Sequence, residues 1–100
     1  MSLDPNADLQ KSPRRFSFLQ ALRLRPQHTA TPASLLHELE NCGYPLTLTR
    51  LMGDVAFLTS LGLIVAPDAG FLSLTDEGLG VAKGIVNIPG IGSPALGEKG

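Results

Sequence analysis

The stretch that most constrains this chain is TRLMGDVAFLTSLGLIV, residues 49–65. Leu48, Leu51, Met52, Val55, Leu58 and Leu61 recur at intervals of three and four, the spacing of one helix face. Leu63-Ile64-Val65 then favours a strand, because branched aliphatic residues suit a pleated, half-buried surface. Only Gly62 lies where the two patterns meet, and glycine suits the left-handed residue just past a helix end. The helix therefore runs straight into the strand with no loop, and the strand packs beside its own helix. Gly53 weakens this helix by about 1 kcal/mol relative to alanine.

The flanking sequence supplies partners for both elements. Pro67-Asp68-Ala69-Gly70 is turn chemistry, and Phe71-Leu72-Ser73-Leu74 returns with Leu72 and Leu74 alternating. A hairpin is predicted, with strands near 63–66 and 71–74. Thr75 then caps a further helix, with Asp76 and Glu77 in the first turn where the helix dipole favours anions. Leu79, Val81 and Ala82 are its apolar positions and Gly84 closes it. Upstream, Ser12-Pro13 reads as a helix start, serine as cap and proline in the first helical position. Phe16, Phe18, Leu19, Ala21 and Leu22 give that helix an apolar side, and it stops before Pro26. Thr31-Pro32 repeats the start signal for a helix carrying Leu35, Leu36 and Leu39 and ending at Asn41-Cys42-Gly43. After the turn Tyr44-Pro45-Leu46, Thr47 or Thr49 caps the helix of the opening stretch.

The order is helix, helix, helix, strand, strand, helix. This is a mainly α chain with a small β-hairpin, the winged helix–turn–helix arrangement. Leu35, Leu39, Leu51, Val55, Leu58 and Leu74 are expected to share one core. Residues 1–11 read as a flexible arm, 12–84 as the winged-helix domain, and 85–100 as an extended apolar tail rich in Gly and Pro. Ile85, Val86, Ile88 and Ile91 are too apolar for a wholly solvated tail and are expected to bury part of their surface.

The runs LTRLMGDVAFLTSLGLIV and GFLSLTDEGLGVAKG resemble winged-helix proteins of the broad bacterial regulator type. The matching residues are Leu51, Val55 and Leu58, the junction Leu61-Gly62-Leu63-Ile64, and Leu74-Thr75-Asp76-Glu77-Gly78. From about residue 14 to 94 the chain also looks like a small protein encoded by Mu-like prophages, with a similar tail at Val81-Ala82-Lys83-Gly84 and Val86-Asn87-Ile88-Pro89-Gly90. That resemblance implies a winged-helix fold and a regulator or accessory role.

Composition bounds the alternatives. At 100 residues and 43% apolar content there is one domain with a modest core. Cys42 is the single cysteine, so no internal disulfide framework exists. No apolar run approaches the ~20 residues of a membrane span, and the acidic start MSLDPNADLQ does not read as a signal peptide. A cytoplasmic protein is expected. Five of the eight basic residues, Lys11, Arg14, Arg15, Arg23 and Arg25, fall in an acid-free stretch from Leu9 to His37. The remainder is acidic.

In a helix–turn–helix the third helix meets base edges with its N-terminal residues. The outward candidates are Thr47, Thr49, Arg50, Gly53 and Asp54. Arg50 suits guanine, and Thr47 or Thr49 suits phosphate or a base. Lys11, Arg14 and Arg15 are candidate phosphate contacts from the first helix. Asp54 and Asp68 oppose a phosphate backbone. Duplex DNA is thus the first expected partner. The alternative is a protein–protein module, a homodimer or phage-protein partner bound through Leu48 and Met52 or the tail. Cys42, His37 and His28 lack metal-ligand spacing, and Cys42 is expected to pack as a small buried group. No nucleophile–base cluster or phosphate loop points to catalysis, so neither an enzyme nor a cofactor is expected.

Overall fold

The computed structural model describes residues 11–66 and 70–91, apart from the Lys11 side chain. Four helices and a three-stranded antiparallel sheet alternate along the chain. They are α1 Lys11–Arg23, β1 Thr29–Ala30, α2 Pro32–Asn41, α3 Leu48–Ser60, β2 Ile64–Val65, β3 Leu72–Leu74 and α4 Asp76–Ala82. The predicted helix order and hairpin are present. The predicted arm up to residue 10 and the turn residues 67–69 lie outside the described residues.

Helix starts follow local chemistry. Thr31, Thr47 and Thr75 each stand in extended backbone before a helix, and each hydroxyl accepts from the backbone N–H three residues on. This satisfies a donor that has no partner inside the helix. Between the two predicted capping threonines of α3, the cap is Thr47. The start of α1 differs from expectation. The helix already includes Lys11, so Ser12 is not its cap and Pro13 is not its first residue.

A third strand, absent from the sequence prediction, follows a single 3-10 turn at Pro26–His28. β1 is only two residues long, too short to carry an alternation. It pairs antiparallel with β3, Thr29 opposite Ser73 and Ala30 opposite Leu72, giving the strand order β1-β3-β2. Thr29 Oγ1 and Ser73 Oγ share a hydrogen bond of 2.8 Å across that pair. β2 pairs on the other side of β3, Ile64 opposite Leu74 and Val65 opposite Ser73.

The helix-to-strand junction shows how α3 runs into β2 without a loop. Gly62 has φ +76°, a left-handed backbone that glycine adopts without steric cost. Its carbonyl accepts from Thr75 Oγ1 at 2.7 Å, and the Leu63 carbonyl accepts from Thr75 N at 3.0 Å. The start of α4 is thereby fastened to the end of α3. Gly78 allows this approach: a Cβ there would stand 2.1 Å from the Leu63 carbonyl oxygen and 2.7 Å from Leu74 Cδ1.

One core binds these parts. All six predicted core residues, Leu35, Leu39, Leu51, Val55, Leu58 and Leu74, are buried in it together with Phe18, Leu19, Leu22, Leu63, Ile64 and Val81. α1 packs chiefly on α2 and α4, and α3 packs on α2 and β2. The tail divides. Ile91 is 6% exposed and belongs to the core, and Ile88 packs partly against it, whereas Ile85 and Val86 remain exposed. The core thus extends beyond the domain boundary expected at residue 84. Residues 88–91 form a strap, closed by a bond from Ile91 N to the Ile88 carbonyl at 3.1 Å.

Two substitutions test this packing by denaturant unfolding. Leu58→Ala, at a fully buried site, lowers stability by about 2–5 kcal/mol. Gly78→Ala forces α4 off the Leu63 carbonyl and costs about 1–3 kcal/mol, although alanine is otherwise the better helix former. A stable Gly78→Ala protein would contradict the close approach.

Candidate interaction site

α3 turns a mixed face inward. Leu51, Asp54, Val55 and Leu58 are its buried residues, at positions that advance by three, one and three along one stripe. Asp54 is 1% exposed. Its carboxylate accepts from Arg14 Nε at 2.6 Å and Arg14 Nη2 at 2.8 Å, a side-on fork, and from Arg15 Nε at 3.0 Å. Charge-assisted, two-point geometry of this kind offsets the large cost of taking a carboxylate and guanidinium groups out of water. The Arg15 guanidinium also lies over the Phe57 ring, 3.8 Å from its centroid, an attraction between cation and ring face.

This arrangement corrects three expectations. Asp54 does not face outward beside Arg50; it points toward α1. Arg14 and Arg15 are buried residues of the core, not exposed phosphate contacts. Of the other cations in the basic segment, Arg23 donates to Gln20 Oε1 at 3.2 Å, and Arg25 donates to Ser34 Oγ and lies 3.8 Å from a Glu38 oxygen. The side chain of Lys11 lies outside the described residues.

The outward face of α3 is built differently. Leu48 is 53% and Met52 43% exposed, one helical turn apart. Thr49, Arg50, Gly53, Ala56, Thr59 and Ser60 are the other exposed residues of the helix. The candidate residues Thr47, Thr49 and Arg50 gather at the helix start and are exposed. The Thr47 hydroxyl already accepts from Arg50 N at 3.1 Å as the cap. Arg50 is the single cation of α3, and Asp54, the single acid of that helix, points inward. Nothing lies within 4 Å of where a Gly53 Cβ would stand.

Cys42 is exposed, contrary to the expected burial, because α2 ends at Asn41 and the chain leaves the core there. Among the described residues no group of three histidine, cysteine or acidic side chains is placed to hold a metal ion, and no helix is long and apolar enough to cross a membrane. Comparisons with protein-family models, curated proteins and solved structures find no match.

The ion cluster had one signal in the sequence. Asp54 stands three residues after Leu51 and four before Leu58, which places it inside the apolar stripe. Asp54→Ala should therefore lower stability by about 3–5 kcal/mol, the cost of leaving buried cations without their partner. A double-mutant cycle with Arg14→Met, followed by thermal and urea unfolding, should give strong coupling between the two positions. Additive effects would mean that the pair contributes no mutual stabilisation.

Proposed function

We propose that this chain is a winged-helix interaction module whose third helix packs against a second copy of itself. The observation that carries the reading is the outward face of α3: two large apolar side chains, small residues beside them, one cation and no acid. Three further points support it. The order helix, strand, helix, helix, strand, strand, with the early strand beside the hairpin, fits a winged helix. Gly53 costs about 1 kcal/mol in helix propensity while an alanine would meet no obstacle in the isolated domain. A helix pays that penalty with reason where another backbone must come close. A two-fold pair is the commonest closed assembly. The resemblance to small proteins of Mu-like prophages fits an accessory role for such a module.

DNA binding is the second reading. Its favouring observation is the exposed trio Thr47, Thr49 and Arg50 at the start of α3, the part of a helix–turn–helix that reaches bases. The burial of Arg14 and Arg15 takes two candidate phosphate contacts from it, and affinity for duplex DNA grows with the phosphates neutralised.

Sedimentation analysis separates the two. Wild type should self-associate with little dependence on salt, and Leu48→Asp with Met52→Asp should leave a folded monomer. Gly53→Ala should raise the stability of the monomer by about 0.5–1 kcal/mol yet weaken association. A protein that stays monomeric at high concentration loses the first reading. If it instead binds duplex DNA with affinity falling steeply as salt rises, and Arg50→Ala costs about 1–3 kcal/mol of specific binding, the second holds.

A further inference from the structure

We propose that Arg15 forms the floor of a binding site for a small oxyanion, at the junction of α1, α3 and the strap 88–91. Arg15 is 9% exposed. A guanidinium carries five N–H donors. The one on Nε is used on Asp54 Oδ1 at 3.0 Å. The four on Nη1 and Nη2 meet no acceptor among the described residues. Asp54 is already engaged: its two oxygens accept three hydrogen bonds, and its single negative charge is shared between two guanidinium groups. Phe57 covers one face of Arg15 and offers no hydrogen-bond acceptor in the plane of the Nη donors. Buried donors left without partners are rare, and a bound anion is one way such donors are satisfied.

The strap passes beside this group without placing a side chain on it. Gly90 stands over the same pair, and a Cβ there would lie 3.1 Å from Phe57 Cζ and 3.8 Å from Arg15 Nη1. With φ +92° and no side chain, Gly90 brings the backbone close to the ring and sets no side chain against the Nη edge of the guanidinium. The ligand that fits this edge presents two oxygens side by side, the chemistry shared by phosphate and carboxylate. Charge favours an anion over water, because the donors belong to a buried cation. The strap above the site favours a small free anion over the backbone of a duplex.

The test uses the full chain. Thermal unfolding is followed against sodium phosphate, sodium acetate and, at equal ionic strength, sodium chloride. Phosphate or acetate should raise Tm along a saturating curve, as a ligand of the folded state does, and chloride should not. Arg15→Met keeps an apolar stem on Phe57 and should weaken the response by about tenfold or more, the worth of hydrogen bonds to a charged group. In case that variant unfolds, the Arg15 Nε–Hε signal of labelled wild type gives an independent reading. It should shift with phosphate or acetate and saturate at the same concentration. Equal responses to all three salts with an unmoved Arg15 signal would overturn the proposal. A short duplex that shifts the signal below the phosphate concentration needed would also overturn it, assigning the site to a nucleic-acid backbone.

Discussion

The Asp54 carboxylate joins two helices that lean mainly on other parts of the structure. α1 rests on α2 and α4, α3 on α2 and β2, and the arginines of α1 reach across to α3 over a separation of 40 residues in sequence. Their placement fixes the rotation of α3 about its axis. With Asp54 held inward, the face carrying Leu48, Met52 and Gly53 is held outward, and the phase of that surface is set by an ion pair as much as by Leu51 and Leu58. An apolar core tolerates rotation and repacking to some degree. A two-point charged contact specifies a register, which is the best attested use of buried ionic groups.

Much of the fold was legible because it rests on local signals. The Thr31-Pro32 pair and the lone threonines Thr47 and Thr75 mark helix starts, the three-and-four spacing of leucines marks buried faces, and Gly62 marks where α3 ends. What escaped detection rests on contacts between distant residues. β1 is two residues long and exists because Leu72 and Ser73 offer it an edge. The tail was expected to bury part of four aliphatics; Ile91 is buried and Ile88 packs partly on the core, but the reversal after α4 leaves Val86 only half-buried and Ile85 74% exposed.

The candidate site was legible only in part. Arg50, Thr47 and Thr49 are where the helix pattern put them. Arg14 and Arg15 were misplaced because charge was read as a property of the surface. Lysine and arginine are almost never fully buried unless paired, so a run of arginines carries no information on burial until its partner is found. That partner, Asp54, stood in the apolar stripe of another helix, and pairing the anomaly there with the arginines requires the tertiary fold.

The position of Ile91 has a consequence for how the chain is made. α1 emerges from a ribosome before the helices that follow it, but Gln20 of that helix waits for the Ala82 carbonyl, to which its side chain donates at 3.0 Å. Arg15 waits for Asp54, and the core waits for Ile91. Domains tend to fold as units during synthesis, and here the unit closes on its own beginning. Until residue 91 is free of the exit tunnel, Phe18, Leu19 and Leu22 have only a partial core to enter. A nascent chain stalled before that point would present its first helix to whatever chaperone is near.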